Sequence, residues 1–322
     1  MKRIKTALTE LLGIEHPILL APMGSAAGGQ LAAAVSGAGG LGIIGSGYAD
    51  AATITRELSA AGNTAVGVGF IIWALEQRPE VLQVALAAKP PVVMLSFGDP
   101  TAFAPAIKDA GCRLICQVQT LEGARQAIAA GADILIAQGR DAGGHSGTTR
   151  GTMGFVPALV DIAGSIPVVA AGGIADGRGL AAALALGAAG VLMGTCFTVA
   201  SESLWSAALK QGAIAATGDN TEQTRVFDIV RGAGWPEQYP GRAVKNAFFA
   251  NWHGREAELD TVWQAEDKIY SNTDPADLST RVLWAGEGVD LVDEIRPAGE
   301  IIERIVAEAI AILEIGPALV QA

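Results

Sequence analysis

Long apolar runs are missing from this chain of 322 residues. No stretch reaches the roughly 18 to 20 consecutive apolar residues that span a bilayer, so no membrane partner is expected. Basic residues are scarce: 22 Lys and Arg stand against 33 Asp and Glu, a formal net charge of −11. Such a chain repels phosphate backbones, which argues against nucleic acid as a partner. Any phosphate it binds must be met locally, by backbone N–H groups and helix N-termini. Cysteine is rare as well. Cys112, Cys116 and Cys196 are odd in number and make no CxxC pair, which leaves a disulfide framework or structural zinc site unsupported. Cys112 and Cys196 read as small buried hydrophobes. The polar Lys5, Thr6, Thr9 and Glu10 that follow Met1–Lys2–Arg3 do not fit a secretory leader, and the expected setting is the reduced cytoplasm. There is no HExxH, no serine-centred elbow and no carboxylate–histidine cluster, so no metal is expected. Gly28–Gly29 and Gly37–Gly42 lack the spacing and the acidic residue of a dinucleotide fingerprint.

Small and apolar residues are abundant. Glycine occurs 41 times, hydrophobic residues make up 50 % and charged residues 17 % of the chain. This composition can bury a large core and excludes extensive disorder. Short apolar runs recur at intervals of roughly 20 to 35 residues, as expected of βα modules: Ile18–Ala21, Leu41–Ile44, Ala65–Phe70, Val92–Leu95, Leu114–Gln117, Ile134–Ala137, Val168–Ala170 and Val191–Met193. They are rich in Val, Ile and Leu without period-two alternation, the pattern of parallel strands buried on both faces. Helical stretches lie between them: Gln30–Gly37, Ala51–Ala61, Pro79–Ala88, Ala102–Asp109, Leu121–Ala130, Phe155–Ala163 and Gly179–Leu186. Several end in a glycine stop, at Gly111, Gly131 and Gly187. Eight such units predict an α/β fold of the closed (β/α)8 TIM-barrel type. The rhythm breaks after Ser206. Residues 206–290 hold nine of the 17 aromatics together with turn clusters such as Gly232–Pro236 and Gln238–Gly241. We expect an inserted, mainly helical domain there, over the barrel mouth. Residues 1–205 plus 291–322 would form the barrel, and an amphipathic helix at Glu300–Leu313 would close its wall.

Three loops at the carboxyl ends of the candidate strands carry the chemistry. The first is the run Ala171–Gly172–Gly173–Ile174 after the seventh strand, echoed by Gly194–Thr195 after the eighth. Either glycine segment alone could serve only a tight turn. Paired at this spacing, they suit a phosphate held by backbone amides and a helix N-terminus. The second, Ala137 to Gly147 after the sixth strand, holds His145 between glycines. Its imidazole can donate a hydrogen bond or move a proton near neutral pH. The third, after the first strand, sets Met23 between Pro22 and Gly24, either against a planar ligand or as a cap on the core. His16 precedes Pro17 at the opposite, stability-bearing face. His253 lies in the insertion, where a packing role is expected.

Together these loops resemble the nitronate monooxygenase family. The matching pieces are His16 to Gly24 (HPILLAPMG), Ala38 to Gly47 (AGGLGIIGSG), Ala137 to Gly147 (AQGRDAGGHSG), Pro167 to Gly179 (PVVAAGGIADGRG) and Leu192 to Phe197 (LMGTCF). The resemblance implies an FMN-dependent flavoprotein that oxidises alkyl nitronates with dioxygen to carbonyl compounds and nitrite. It implies that Ala171, Gly172, Gly173, Ile174, Gly194 and Thr195 hold the FMN phosphate. Pro22, Met23 and Gly24 would line the flavin ring, Gln117 and Gln138 would bond the ribityl chain or ring edge, and Gly143 would pass close to the flavin. His145 matches the family's active-site histidine. FMN-dependent enoyl-acyl-carrier-protein reductases and NADH:quinone reductases share these loops. Both usually carry an asparagine where Gly69 stands here, and often a different residue at Pro22. A flavin-binding protein without activity is the alternative of another class. Gly69, Ile71, Trp73 and aromatics of the insertion are expected to shape an apolar substrate pocket, with Phe227, Trp235, Phe248, Phe249 and Trp252 as candidates. The substrate, any use of NAD(P)H and the oligomeric state, a homodimer being one option, are left open by the sequence.

Overall fold

A computed structural model describes residues 3–48, 51–147 and 149–316. The last six residues of the segment 291–322, assigned above to the barrel, thus lie outside the described residues. Eight parallel strands form one sheet: β1 Ile18–Leu20, β2 Ile43–Gly47, β3 Gly67–Ile71, β4 Val92–Ser96, β5 Arg113–Val118, β6 Ile134–Gln138, β8 Val168–Ala171 and β9 Gly190–Met193, with β7 a two-residue strand, Gly144–His145, in the loop after β6. Neighbours follow chain order, and β9 returns to pair with β1. A parallel bridge between Leu19 and Leu41 joins β1 to the approach of β2, so the sheet closes on itself. The architecture is a TIM barrel, and every strand matches one of the eight candidate runs to within a few residues.

Closure makes the inside and outside of each strand a strict alternation. Leu19, Ile43, Val92, Met94, Ile115, Ile134, Ile136, Val169 and Leu192 point inward and form one apolar cluster. The intervening residues, among them Ile18, Leu20, Val93, Leu95, Leu114, Leu135, Val168 and Val191, belong to a second cluster shared with the surrounding helices. Both sets are buried, which explains the unbroken apolar runs. A helix at Ala7–Leu12, not anticipated from the sequence, drives fully buried Leu8 into the amino-terminal end of the inner cluster. Eight helices ring the sheet: Gly29–Gly37, Ala51–Ala60, Glu80–Ala87, Ala104–Asp109, Leu121–Ala129, Thr152–Ala163, Gly177–Ala185 and Ala298–Ile315. The last packs between the first and the seventh and completes the wall. The sixth starts three residues earlier than its apolar pattern suggests, because Asp141 accepts a hydrogen bond from Thr152 N at 2.6 Å and anchors its first turn. No helix among the described residues is long and apolar enough to cross a membrane.

Between β9 and the closing helix the chain builds helices at Ala207–Ile214, Val226–Val230, Ala247–Trp252 and Glu256–Asn272. It also builds strands β10 Thr221–Thr224 and β11 Gly241–Val244, which pair antiparallel. Val226, Phe227, Val230, Phe249, Trp252, Leu259 and Tyr270 form a separate apolar cluster in this region. The strands were not foreseen, because their sequences, TEQT and GRAV, carry no apolar alternation. β11 also pairs with β7, Gly241 opposite His145 and Arg242 opposite Gly144. The loop that bears His145 is therefore stitched to the insertion by backbone hydrogen bonds.

Close packing between the first helix and β2 generates a prediction. A Cβ on Gly42 would lie 1.9 Å from the carbonyl oxygen of Ala32, and backbone cannot move aside as a side chain could. Gly42→Ala should lose about 2–3 kcal/mol, read as a fall in Tm of roughly 4–8 °C. An unchanged Tm would show slack at this contact.

Candidate functional site

The inward phase of the strands changes chemistry at their carboxyl ends. Two residues beyond Ile115 stands Gln117, two beyond Ile136 stands Gln138, and two beyond Met94 stands Ser96. Gly69, Ala171 and Gly194 join them from β3, β8 and the turn after β9. A cavity of about 590 Å³ opens above this layer, within the roughly 300–1,000 Å³ usual for cofactor and ligand sites. Pro22, Met23, Gly24, Gln117, Gln138, Gly143, His145, Ala171, Gly172, Gly173, Ile174, Gly194 and Thr195 all line it. The structure thus brings every candidate site residue to one place.

The glycine corner is tight. Gly172 and Gly173 have φ of +115° and +67°, values that side chains adopt only at a cost. A Cβ on Gly172 would stand 2.7 Å from Thr152 Oγ1, a hydroxyl held between the carbonyls of Ala171 and Gly172. Among the described residues, the N–H groups of Gly172, Gly173 and Ile174 donate to no protein acceptor. All three residues line the cavity. The helix expected to assist them begins only at Gly177, and Asp176 caps it through Gly179 N, so that terminus is already satisfied by a carboxylate. Gly286 and Gly288, unremarked in the sequence, close the corner. Gly286 N donates to Thr195 Oγ1 at 3.1 Å, and a Cβ on Gly143 would stand 2.5 Å from Gly286 N.

The loop after β1 packs against β2 and β3. Added Cβ atoms on Gly45 would strike the Met23 backbone at 2.4 Å, and on Gly69 the Pro22 ring at 2.4 Å. The Pro22 ring therefore occupies the space a side chain at position 69 would need. Gln138 is more committed than the sequence suggests. Its Oε1 accepts from Gln117 Nε2 at 3.1 Å and from Gln119 Nε2 at 2.8 Å, and its Nε2 donates to the His145 carbonyl at 2.9 Å. Gln119 had no signal of its own beyond falling two residues after Gln117 on the same strand phase.

His145 is held on every side. Its Nε2 lies 3.0 Å from Asp228 Oδ2. The Trp235 indole stacks on the ring at 3.5 Å between centroids and 7° between planes, and Trp284 tilts against it at 5.1 Å. Trp235 is edged in turn by Phe97, Trp73 and Tyr48. Phe97 sits in the left-handed region at φ +64°, a strain of about 1–3 kcal/mol that places its ring at the mouth. Gly69 and Ile71 line the cavity, while Trp73 stands behind it, packed on the lining residues Tyr48 and Trp235. Of the insertion aromatics proposed for the pocket, Trp235 arrives; Phe227, Phe248, Phe249 and Trp252 pack within the insertion. His253 packs on Phe249 at 4.3 Å, and half-buried His16 sits at the amino-terminal end of the barrel.

Burial lowers the pKa of His145, and the hydrogen bond and charge of Asp228 oppose this only in part. A neutral imidazole over an apolar, glycine-walled cavity can accept a proton or hydrogen-bond an oxyanion.

A family model described as Nitronate monooxygenase matches residues 5–65 and 54–308. The chain is 34 % identical, over 99 % of its length and the whole of the relative, to a Mycobacterium tuberculosis protein named (3aS,4S,5R,7aS)-5-hydroxy-7a-methyl-1-oxo-octahydro-1H-indene-4-carboxyl-CoA dehydrogenase. It is 33 % identical, over 92 % of its length and 89 % of the relative's, to a nitronate monooxygenase of Neurospora crassa. The structure of FabK from Thermotoga maritima superposes with a TM-score of 0.86 at 35 % identity, covering 98 % of this chain and all of that one.

The titration of His145 follows from its surroundings. Its native pKa lies below the usual 6.5, so the unfolded chain binds this proton more readily. The stability contributed by the neutral ring is full above about pH 6.5 and falls as pH drops from there toward the native value. Nitrogen-15 NMR of histidine-labelled protein should give a midpoint below 6.5 for His145, and a midpoint above it would contradict the burial argument.

Proposed function

The chain belongs to the nitronate monooxygenase family, and we propose that it oxidises small alkyl nitronates with dioxygen, giving a carbonyl compound and nitrite. It is a flavin-dependent oxidoreductase, and FMN is its cofactor. The cavity fits that group. The free N–H groups of Gly172, Gly173 and Ile174, with Gly194 and Thr195 beside them, suit a phosphate dianion. Pro22, Met23 and Gly24 present a wall with little side chain above the backbone, as a flat ring needs. Gln117 keeps an amide oxygen for the ribityl chain or ring edge, and Gln138 fixes the strand that carries His145. We assign residues 1–205 with 291–322 to the FMN-binding barrel and 206–290 to the domain that closes its mouth.

One observation carries the reaction class: the neutral, desolvated imidazole of His145 between the flavin wall and the aromatic mouth. A nitronate spreads its charge over two oxygens, and once the ring is protonated its second N–H can donate a hydrogen bond to one of them. With a neutral nitroalkane the same ring can take the α-proton. When bound, FMN supplies electron acceptance from the substrate and passes the electrons to dioxygen. The protein supplies orientation, exclusion of water by Trp235, Phe97 and Tyr48, and the base. The substrate is small and apolar around its nitro group, since aromatic rings crowd the mouth.

The test is a visible spectrum followed by dioxygen uptake with propyl-2-nitronate, first without and then with NADH. A yellow protein that consumes dioxygen on nitronate alone is expected. A yellow protein silent on nitronate and bleached anaerobically by NADH would replace this reading with a reductase. Gly172→Val forces a branched side chain into a left-handed backbone beside Thr152 and should weaken FMN retention about tenfold or more, measured as flavin content after dialysis. His145→Asn should lower turnover of neutral nitroalkane by roughly 10²–10⁴-fold and of nitronate much less. Equal losses on both would leave His145 a binding group only.

A further inference from the structure

We propose that Asp228, supplied by the inserted segment, is the positioning residue that makes His145 a base: it fixes the imidazole in the Nε2–H form and leaves Nδ1 to receive the proton. The proposal rests on the reading of His145 given above. Asp228 sits in the helix Val226–Val230, 83 residues from its partner. It is 5 % exposed, and a carboxylate so buried must have both oxygens engaged. Oδ2 faces His145 Nε2 at 3.0 Å, and Oδ1 accepts from the Arg231 guanidinium at 3.0 Å. Arg231 is itself pinned, its Nε donating to the Phe227 carbonyl at 2.6 Å and its guanidinium lying 5.5 Å over the Trp284 ring. The carboxylate therefore cannot swing away, and the stack of Trp235 on the imidazole removes the remaining freedom of that ring.

Such a carboxylate accepts from an N–H and repels a lone pair. It selects the tautomer protonated at Nε2, so the basic lone pair resides on Nδ1. In the step this serves, the C–H bond next to the nitro group breaks. Its proton goes to Nδ1, and its electron pair stays on the substrate, shared by the carbon and the two nitro oxygens. The imidazolium that results is stabilised by Asp228, as in other carboxylate–histidine pairs. Arg231 holds that stabilisation in check. Other groups around the ring are neutral or committed elsewhere: Gln138 binds the His145 carbonyl, Arg242 on β11 binds Glu287 and Thr221, and burial together with Asp228 keeps the Tyr48 phenol protonated.

Three variants of the FMN-loaded enzyme test this: Asp228→Asn, Asp228→Glu and Arg231→Gln. The chain has only three histidines, so nitrogen-15 NMR can read the tautomer and midpoint of His145 directly. Asp228→Asn should mix the tautomers, lower the His145 midpoint and the acid limb of the nitroalkane pH profile, and reduce nitroalkane kcat/KM by roughly 10²-fold or more. Nitronate turnover should fall far less, because no proton is removed from it. Arg231→Gln should shift midpoint and acid limb the opposite way, upward, and Asp228→Glu should restore part of the lost rate. An unchanged tautomer and midpoint in Asp228→Asn would overturn the proposal, as would equal losses on nitronate and nitroalkane. Absence of nitronate turnover in the unaltered enzyme would instead overturn the proposed function, while the NMR comparison would still decide whether Asp228 sets the tautomer.

Discussion

The alternation of side chains in a closed sheet is the constraint from which the rest of this molecule follows. Once β9 has returned to β1, each strand must place every second residue inside. The lower inside positions, Leu19, Ile43, Val92, Ile115, Ile134 and Val169, pack into a solid plug that Leu8 seals from below. The same phase carried upward by two residues or four delivers Gly69, Ser96, Gln117, Gln138 and Ala171 to the rim of the cavity. The plug is rigid because it is apolar and fully packed. The cavity above it exists because the next layer is small or amide-bearing. Stability and site are consecutive layers of one pattern, which is why the chemistry sits at the carboxyl ends of the strands.

The insertion supplies what the barrel lacks. A barrel rim is open to water, and an imidazole there would titrate near its ordinary value. By adding β11 to β7 and laying Trp235 on the ring, the insertion dries His145 and pushes its pKa down. Asp228 comes from the same segment and pushes the other way. The two effects are unequal, since burial is the larger, and the outcome is a neutral ring with a fixed carboxylate partner. A barrel alone could hold a flavin, but the protonation state of its one site histidine is set by residues that arrive from 206–290.

Much of this was legible in the residues. The eight apolar runs, the glycine stops and the paired glycine segments at Gly172 and Gly194 are local patterns whose physical causes are local, and His145 stood out as one of three histidines. What the sequence concealed is non-local. Asp228 reads as an ordinary acidic residue until the helix that bears it is buried; the available signal was a single charge inside the apolar run Val226–Phe227–Asp228–Ile229–Val230. Trp235 gave no sign that it, rather than Phe249 or Trp252, would reach the cavity, because its position depends on a turn whose Gly232 and Gly234 take positive φ. β10 and β11 escaped notice because they bury little apolar surface and form by pairing alone. The helix expected to present its N-terminus to the glycine corner is already capped by Asp176, so the free donors there are the backbone amides of Gly172, Gly173 and Ile174.

Pro22 and Gly69 depart together from a related pattern because they share one space. Taken singly, each is a residue at a loop where reductases of similar sequence usually differ. In space they are one feature: the pyrrolidine ring lies where a Cβ at position 69 would begin, at 2.4 Å. An asparagine cannot be accommodated at 69 while proline stands at 22 unless the first loop moves, and that loop also threads Met23 against Gly45 and Gly194. A side chain at position 69 is thus excluded by packing, and the Pro22 ring supplies that part of the cavity wall. Polar groups enter the same cavity elsewhere, from Ser96, Gln117 and Gln138 on the inward strand phase and from His145 in the loop after β6.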